Sequence, residues 1–265
     1  MSPGTVRNIR TFISGVFTQA VEDGLLAVNP AQQLGRFLPR CPDRKAHIRA
    51  LTREQVKAVL DAAAELYPDY YPLVLCGFRT GMRMGELLGL AWEDVDFEGK
   101  CINLRRSWSH NRFSTPKTHK GRVVDLSDQL ARVLLDHRQA LLLKFKGKLR
   151  AVPVPAGMAE GESINVVFPY FTGRQIDPSW FRRVAWRRLF EKANVPQVRI
   201  HDMRHTFASL LLQQGESLHY VKEQLGHSSI QTTVDVYGHL APGSNRNAVN
   251  KLDDPVAPLR VAAAG

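Results

Sequence analysis

Cysteine is scarce. The three present among 265 residues, Cys41, Cys76 and Cys101, are odd in number and lack C-x-x-C spacing, which argues against a disulfide framework and a cysteine zinc site and fits a reducing compartment. Long apolar runs are missing as well. No segment has the roughly 18 uninterrupted apolar residues of a membrane span, and the stretch after Met1 is interrupted by Arg7 and Arg10 rather than forming the continuous core of a secretion signal. The expectation is a soluble, cytoplasmic protein with no membrane partner. Acidic residues are in the minority, 25 Asp plus Glu against 36 Lys plus Arg, for a net charge of +11. That surplus favours a polyanionic partner through long-range attraction and counterion release, but names none. There is no G-x-x-x-x-G-K-[ST] loop for a nucleotide and no obvious carboxylate cluster for a metal near the motifs described below. No cofactor and no metal are expected, and no repeat or low-complexity tract interrupts the chain.

With 44% hydrophobic residues the chain can build one substantial core and a smaller flanking unit. Val6, Ile9, Phe12, Ile13, Val16, Phe17 and Ala20 recur at three- and four-residue spacing, predicting a helix over residues 5–21 with one buried face. Asn29-Pro30 opens a second short helix or turn. Residues 36–50 hold Pro39, Pro42, Arg36, Arg40, Arg44, Lys45 and Arg49 and read as a basic linker. Thr52 and Gln55 then form a capping-box pattern ahead of Val56, Val59, Leu60 and Ala63. Helices are expected over residues 71–78 and 84–90, on either side of Thr80-Gly81. Short segments at 95–97, 101–106, 112–118 and 123–126 predict a small antiparallel sheet. Helix returns over 128–145, and a loop rich in Gly, Pro and Ala spans 147–163. Thereafter the pattern is helical to about residue 240, with a last helix near 245–252. The fold class is mainly α with a small antiparallel β-sheet, an α+β arrangement.

The chemistry concentrates in a few short motifs. Residues 200–208, Ile-His-Asp-Met-Arg-His-Thr-Phe-Ala, open an apolar-periodic helix, so His201 faces Arg204 at i+3 and His205 at i+4. Three basic side chains at a helix N-terminus make an anion the natural guest. In isolation the same residues read as ordinary helix-end histidines. Their company changes that reading: Leu225-Gly226-His227 precedes Tyr237 by ten residues, and far upstream stands Thr80-Gly81-Met82-Arg83-Met84-Gly85-Glu86-Leu87.

In this set and order the sequence resembles the tyrosine recombinases of the phage integrase kind, with a first arginine in T-G-x-R-x-x-E-L, a lysine on a strand turn, H-x-x-R-H, L-G-H and a following tyrosine. The resemblance covers residues 51–252. It implies the tyrosine recombinase catalytic-domain fold and a catalytic set of Arg83, Lys117, His201, Arg204, His227 and Tyr237 as nucleophile, with Lys120 competing for the role of Lys117. It further implies a site-specific recombinase that cuts and rejoins DNA through a 3′-phosphotyrosyl link at Tyr237 without ATP. Double-stranded DNA would be the partner, two duplexes would be held by a homo-tetramer, and an accessory DNA-bending protein has a place in such systems. Residues 1–35 would be the remnant of a helical core-binding domain, 36–50 its linker, 51–252 the catalytic domain and 253–265 a tail. The short N-terminal region is the one departure from the family pattern: either the chain is a truncated or degenerate copy with an intact catalytic domain, or it works with a weaker grip on DNA.

Physics gives each residue a reason. In-line attack on a phosphodiester builds charge on the non-bridging oxygens, which two guanidiniums, Arg83 and Arg204, can clamp. Tyr237 needs a proton acceptor, assigned to His201, and His227 adds a hydrogen bond to a phosphate oxygen or else caps the helix ending at Gly226. Lys117 would protonate the leaving 5′ oxygen. His205 is expected to hold neighbouring backbone, Asp202 to complement the helix start, and Glu86 either to orient Arg83 or to cover the helix surface. Arg36, Arg40, Arg44, Lys45, Arg49, Lys120 and Arg122 are candidate DNA contacts. Three other readings remain at this stage: a non-catalytic DNA-binding protein, a zinc hydrolase using His201 and His205 at the i, i+4 spacing of two metal ligands, and a relaxing topoisomerase of related chemistry, which would remove supercoils without strand exchange.

Overall fold

The computed structural model describes residues 1, 3–37, 49–109, 112–114, 121–147, 151–153, 163–170, 172 and 174–240. The chain divides into two compact units, Met1–His47 and Ile48–Gly265. In the first, helix α1 (Pro3–Glu22) leads through a turn into one 3-10 turn, Leu34–Phe37. Asn29 ties the turn to the helix, its Nδ2 donating to Ser14 O and Thr18 Oγ1 at 2.9 Å each. The helix forms as its periodicity predicts, but among the described residues of this unit nothing covers its apolar face: α1 contains no buried residue, and Phe12 is 74% exposed. A single helix and a turn have too little apolar surface to bury such a stripe among themselves.

The second unit opens with the predicted capping box. Thr52 accepts from Gln55 N, and Gln55 Oε1 accepts from Thr52 N at 2.9 Å, which satisfies two of the free donors at the start of α2 (Arg53–Leu66). Helix α3 (Tyr71–Thr80) is buried on almost every side and packs against α2, α5 (Asp128–Lys144) and α8 (Asp202–Gln213). Its continuous run from Leu73 to Phe78 makes it the centre of the larger core, where the Phe78 and Trp186 rings stack 6.2 Å apart. Helix α4 (Met84–Gly89) follows after a break at residues 81–83.

The β content is real but divided. Strands β1 (Val95–Asp96), β2 (Cys101–Leu104) and β5 (Arg122–Asp125) make an antiparallel sheet in the order β1-β2-β5, with Ile102 opposite both Val95 and Val124. All three of those side chains are buried. Strands β3 (Ser107–Ser109) and β4 (Arg112–Ser114) form a separate hairpin rather than extending the sheet. Its core is the cross-strand pair Trp108 and Phe113, whose rings lie edge to face at 4.7 Å. The stretch read as a loop over 147–163 carries part of a third pair, β6 (Ala151–Pro153) with β7 (Ser163–Asn165), Val152 lying opposite Ile164. Three-residue strands bounded by Pro and Gly leave no measurable alternation, so composition alone hid them.

Helix also starts later than the sequence suggests. The described residues between 166 and 177 are irregular yet include the buried Val166, Val167, Phe168 and Ile176. Pro169 and Pro178 oppose helix across that stretch. From there α6 (Pro178–Trp180) runs through a π segment, Phe181–Ala185, into α7 (Trp186–Ala193), which packs on α2. Helices α8, α9 (Leu218–Leu225) and α10 (Ile230–Tyr237) enclose a second, smaller core of Phe207, Ala208, Leu212, Val221, Leu225 and Tyr237. The helix expected near 245–252 lies outside the described residues.

Candidate active site

The site is assembled at the seam between the two cores, and Gly81 makes the seam possible. Gly81 ends α3 at φ +60°, and a Cβ there would fall 2.5 Å from Phe207 Cδ1 and 2.9 Å from Leu225 Cδ2. Any other residue would push α8 and α9 away and strain the backbone. The freed chain then turns so that Arg83 caps the start of α4. Glu86, one turn on, accepts from Arg83 N at 2.7 Å and from Arg83 Nη1 at 2.9 Å.

Glu86 is therefore not a surface cover. It is 2% exposed and also takes a bidentate pair from Arg122 on β5, both nitrogens at 2.8 Å. Burial would raise its pKa, but the hydrogen bonds and charge of Arg122, with those of Arg83, outweigh this and hold the carboxyl down at about 2. Arg122, expected among the free DNA contacts, is largely committed inside the protein: its Nε donates to Gln224 O at 3.1 Å, joining the sheet to α9.

Arg204 connects the distant motifs. Near the start of α8 it is 2% exposed, donating Nη1 to Gly81 O at 2.9 Å and Nη2 to Leu225 O at 2.5 Å. One guanidinium thus binds the T-G-x-R turn to the L-G-H turn. Burial, then the charges of Arg83 and Arg122, lower its pKa, so this cluster of cations lacks a full complement of counter-charge. Truncating Arg204 would also leave two buried carbonyls unpaired, at about 1–3 kcal/mol each.

The imidazoles surround this charge. His201 sits at the N-cap of α8, its ring edge-to-face with His205 at 5.2 Å. Partial burial, then Arg204 and Arg83, lower its pKa. Asp202 turns to the other side, accepting from Arg199 N and Arg199 Nη2 at 2.8 Å each. His227 follows Gly226, the left-handed cap of α9, and its Nδ1 lies 2.9 Å from Oγ1 of the buried Thr233. Burial, then Arg204, Arg83 and Arg122, bring His227 down to about 4.

Tyr237 closes α10 and is 1% exposed, its hydroxyl 2.8 Å from His205 Nδ1. Burial pushes the phenol up to about 12 although Arg204 pulls the other way. His205 is brought to about 4, first by burial and then by His201. A neutral imidazole at this distance accepts the phenol's proton in a hydrogen bond when its Nε2 carries the hydrogen. His205 was expected to hold neighbouring backbone, whereas its ring touches the tyrosine hydroxyl itself.

Arg83, His201, Arg204, His205, His227 and Tyr237 thus share one neighbourhood, with Glu86 and Arg122 beneath them. Lys117, Lys120, Arg40, Arg44 and Lys45 lie outside the described residues. Arg36 stands over the Phe37 ring at 4.9 Å in the first unit, and Arg49 is exposed in the second. Thr233 escaped the sequence reading, although its place four residues before Tyr237 puts both on one face of α10. Among the described residues no group of three His, Cys, Asp or Glu side chains could hold a metal ion. The zinc reading is disfavoured on the residues themselves, since Arg204 stands beside the two histidines and Asp202 faces Arg199.

A mainly helical unit with small antiparallel sheets, gathering guanidiniums and imidazoles around a phenol, has the architecture of a tyrosine recombinase catalytic domain. The chain belongs to the phage integrase family, whose pattern matches residues 49–243. It is 32% identical to a tyrosine recombinase XerC-like protein of Caldanaerobacter subterraneus and 29% identical to the ICEBs1 integrase of Bacillus subtilis. Each alignment covers 96% of this chain and 66% of the relative, so the chain spans just under two thirds of their length. Among solved structures, the Tn1549 transposon integrase in complex with a circular intermediate DNA superposes with a TM-score of 0.69 at 23% identity, over 95% of this chain and 79% of that one. XerA recombinase gives 0.56 at 22% identity, over 97% and 85%.

Proposed function

We propose that the chain is a site-specific DNA recombinase that cleaves and rejoins double-stranded DNA through a 3′-phosphotyrosyl intermediate at Tyr237. The observation carrying this reading is Arg204, whose two nitrogens hold the Gly81 and Leu225 carbonyls and so bring Arg83, His227 and Tyr237 into one cationic site. A scissile phosphate is the guest this charge calls for. Arg83 and Arg204 face its non-bridging oxygens, where losing one preorganised donor typically costs about 10² to 10³ in rate. His201 and His227 add hydrogen bonds.

The Tyr237 oxygen attacks phosphorus in line, the bond from phosphorus to the 5′ oxygen breaks, and the phenolic proton passes to His205. Lys117 supplies the proton that the leaving 5′ oxygen needs. Because the phosphotyrosine retains the energy of the broken bond, a 5′ hydroxyl of the partner strand reseals it without ATP. Tyr237 is 1% exposed, so α10 shifts when DNA docks. The relatives whose structures hold DNA support duplex DNA as substrate. The reading extends to four copies on two duplexes, with an accessory bending protein where the site requires one. Residues 1–35 serve as a core-binding element, 36–50 as the basic linker, 51–252 as the catalytic domain and 253–265 as the segment that follows it, with Arg36, Arg40, Arg44, Lys45, Arg49 and Lys120 contributing phosphate contacts.

The test uses nicked suicide duplexes carrying the element's own junction sequence, resolved on denaturing gels. A covalent protein-DNA adduct that disappears in Tyr237→Phe is expected. No adduct with any junction, while DNA binding is retained, would leave a non-catalytic DNA-binding protein.

A further inference from the structure

His227 is pinned at its backbone but held by a single polar contact at its ring. Gly226 N and His227 N both donate to Lys222 O, at 2.8 and 3.2 Å, and a Cβ on Gly226 would fall 2.5 Å from Arg122 Cδ. The chain cannot shift there, but the imidazole can still turn about its side-chain bonds. What stops it is Thr233, whose Oγ1 lies 2.9 Å from Nδ1, while Nε2 bonds none of the described residues. Thr233 is buried, and its hydroxyl has no other partner among the described residues. It is not spent on the carbonyl one turn back, as Thr18 Oγ1 is on Ser14 O at 2.9 Å.

Counting hydrogens decides the direction of this bond. If the hydroxyl donates to Nδ1, both groups are satisfied and the ring carries its hydrogen on Nε2. With the ring hydrogen on Nδ1 instead, Thr233 would accept, and its own hydrogen would be sealed inside the protein without an acceptor. A doubly protonated ring has the same defect and a second one, since burial and the charges of Arg204, Arg83 and Arg122, together with His205, all oppose a further cation. What remains is a neutral imidazole with a donor on Nε2, able to meet an oxyanion. The other neutral tautomer would turn a lone pair toward that oxyanion.

We propose that Thr233 is a positioning residue for strand cleavage: its hydroxyl donates to His227 Nδ1 and so fixes both the rotation of the ring and the Nε2 hydrogen that His227 presents to a non-bridging oxygen of the scissile phosphate. The phosphate partner rests on the recombinase reading above, whereas the tautomer is a property of the free protein. The contact joins residues six apart, beside the capped start of α10, where Ser229 Oγ accepts from Gln231 N at 3.1 Å. Tyr237 lies one turn further on, so the end of the helix that carries the phenol can move while His227 stays set. Thr232, next to Thr233, is exposed and takes no part.

The experiment labels the histidines of the full-length chain with nitrogen-15 and reads the ring nitrogens of His227 by proton–nitrogen correlation at neutral pH, its signals assigned by their absence in His227→Ala. The parent should show a bare Nδ1 and a protonated Nε2. Thr233→Val, which keeps the shape and removes the hydroxyl, should move His227 toward a mixture of tautomers, and Thr233→Ser should keep the parent pattern. On a suicide duplex, Thr233→Val should slow single-turnover adduct formation at least tenfold with duplex affinity within threefold, while Thr233→Ser and Thr232→Val stay within threefold of the parent. Added to His227→Ala, Thr233→Val should cost less than twofold more, because no ring is left to orient. A protonated Nδ1 in the parent would overturn the proposal, and that measurement needs no variant to fold. So would a Thr233→Val spectrum like the parent's, or equal rate losses with and without the His227 ring, as expected of a hydroxyl that only stabilises α10. Adduct missing from every chain, the parent included, would overturn the recombinase reading instead, and the tautomer would still decide what Thr233 does.

Discussion

Replacing His205 by alanine separates two chemical roles that sequence alone assigns differently. The tyrosine hydroxyl lies 2.8 Å from His205 Nδ1, and burial holds the phenol at about 12. At pH 7.5 such a phenol is ionised in only about one molecule in 30,000. Cleavage then depends on a base that removes the proton during attack, and a positioned base contributes typically about 10² to 10⁴ in rate. His205, with a pKa near 4, is neutral and available across the neutral range. We expect His205→Ala, and equally His205→Asn, to slow single-turnover adduct formation on a suicide duplex by at least about 100-fold. Duplex affinity should stay within about threefold, because the ring faces the phenol. One lost hydrogen bond costs about 1 kcal/mol of stability, so circular dichroism should show an intact fold. If His205→Ala cleaves within threefold of the parent while His201→Ala loses 100-fold, the base is His201 and the argument from the observed contact fails.

Glu86→Ala strands Arg122 inside the protein and should cost about 3–5 kcal/mol in urea unfolding, with much less than additive loss when Arg122→Ala is combined with it. A loss below 1 kcal/mol would show that the pair does not join α4 to β5. Stability should fall as pH drops from about 6.5 toward 4, because His205 and His227 have folded pKa values below their unfolded ones, so the unfolded chain binds more protons there. Each contributes up to about 1.4 kcal/mol per pH unit. Glu86 acts only below about 4.5, where its stabilisation is lost as pH falls toward 2. Denaturation midpoints that stay flat between pH 6.5 and 4.5 would contradict the burial of the two imidazoles. A 5′-bridging phosphorothiolate substrate, whose sulfur leaves without a proton, should rescue Lys117→Ala. Rescue of Lys120→Ala instead would move the acid to that residue.

Much of this site was legible because its motifs are short and rigid. T-G-x-R, H-x-x-R-H and L-G-H each contain a helix boundary, and the glycines at 81 and 226 are the positions with φ of +60° and +65° where a Cβ would meet Phe207 or Arg122. Helix α2 was fixed by two residues of its capping box. What sequence could not supply was direction. Glu86 and Arg122 are 36 positions apart, and nothing in either residue announces that they face each other under the site. His201 and His205 are equivalent on a helical wheel, and only the placement of α10 decides which ring meets the phenol. The strand pair of β6 and β7 was invisible because three residues carry no periodicity, and the exposed face of α1 shows that an apolar stripe states a preference without naming the surface that satisfies it.

The most direct test digests the adduct trapped on a suicide duplex and maps the modified peptide by mass spectrometry. The expected product is a nucleotide joined through its 3′ phosphate to Tyr237, with a free 5′ hydroxyl on the released strand. A link to any other residue, or through a 5′ phosphate, would contradict it.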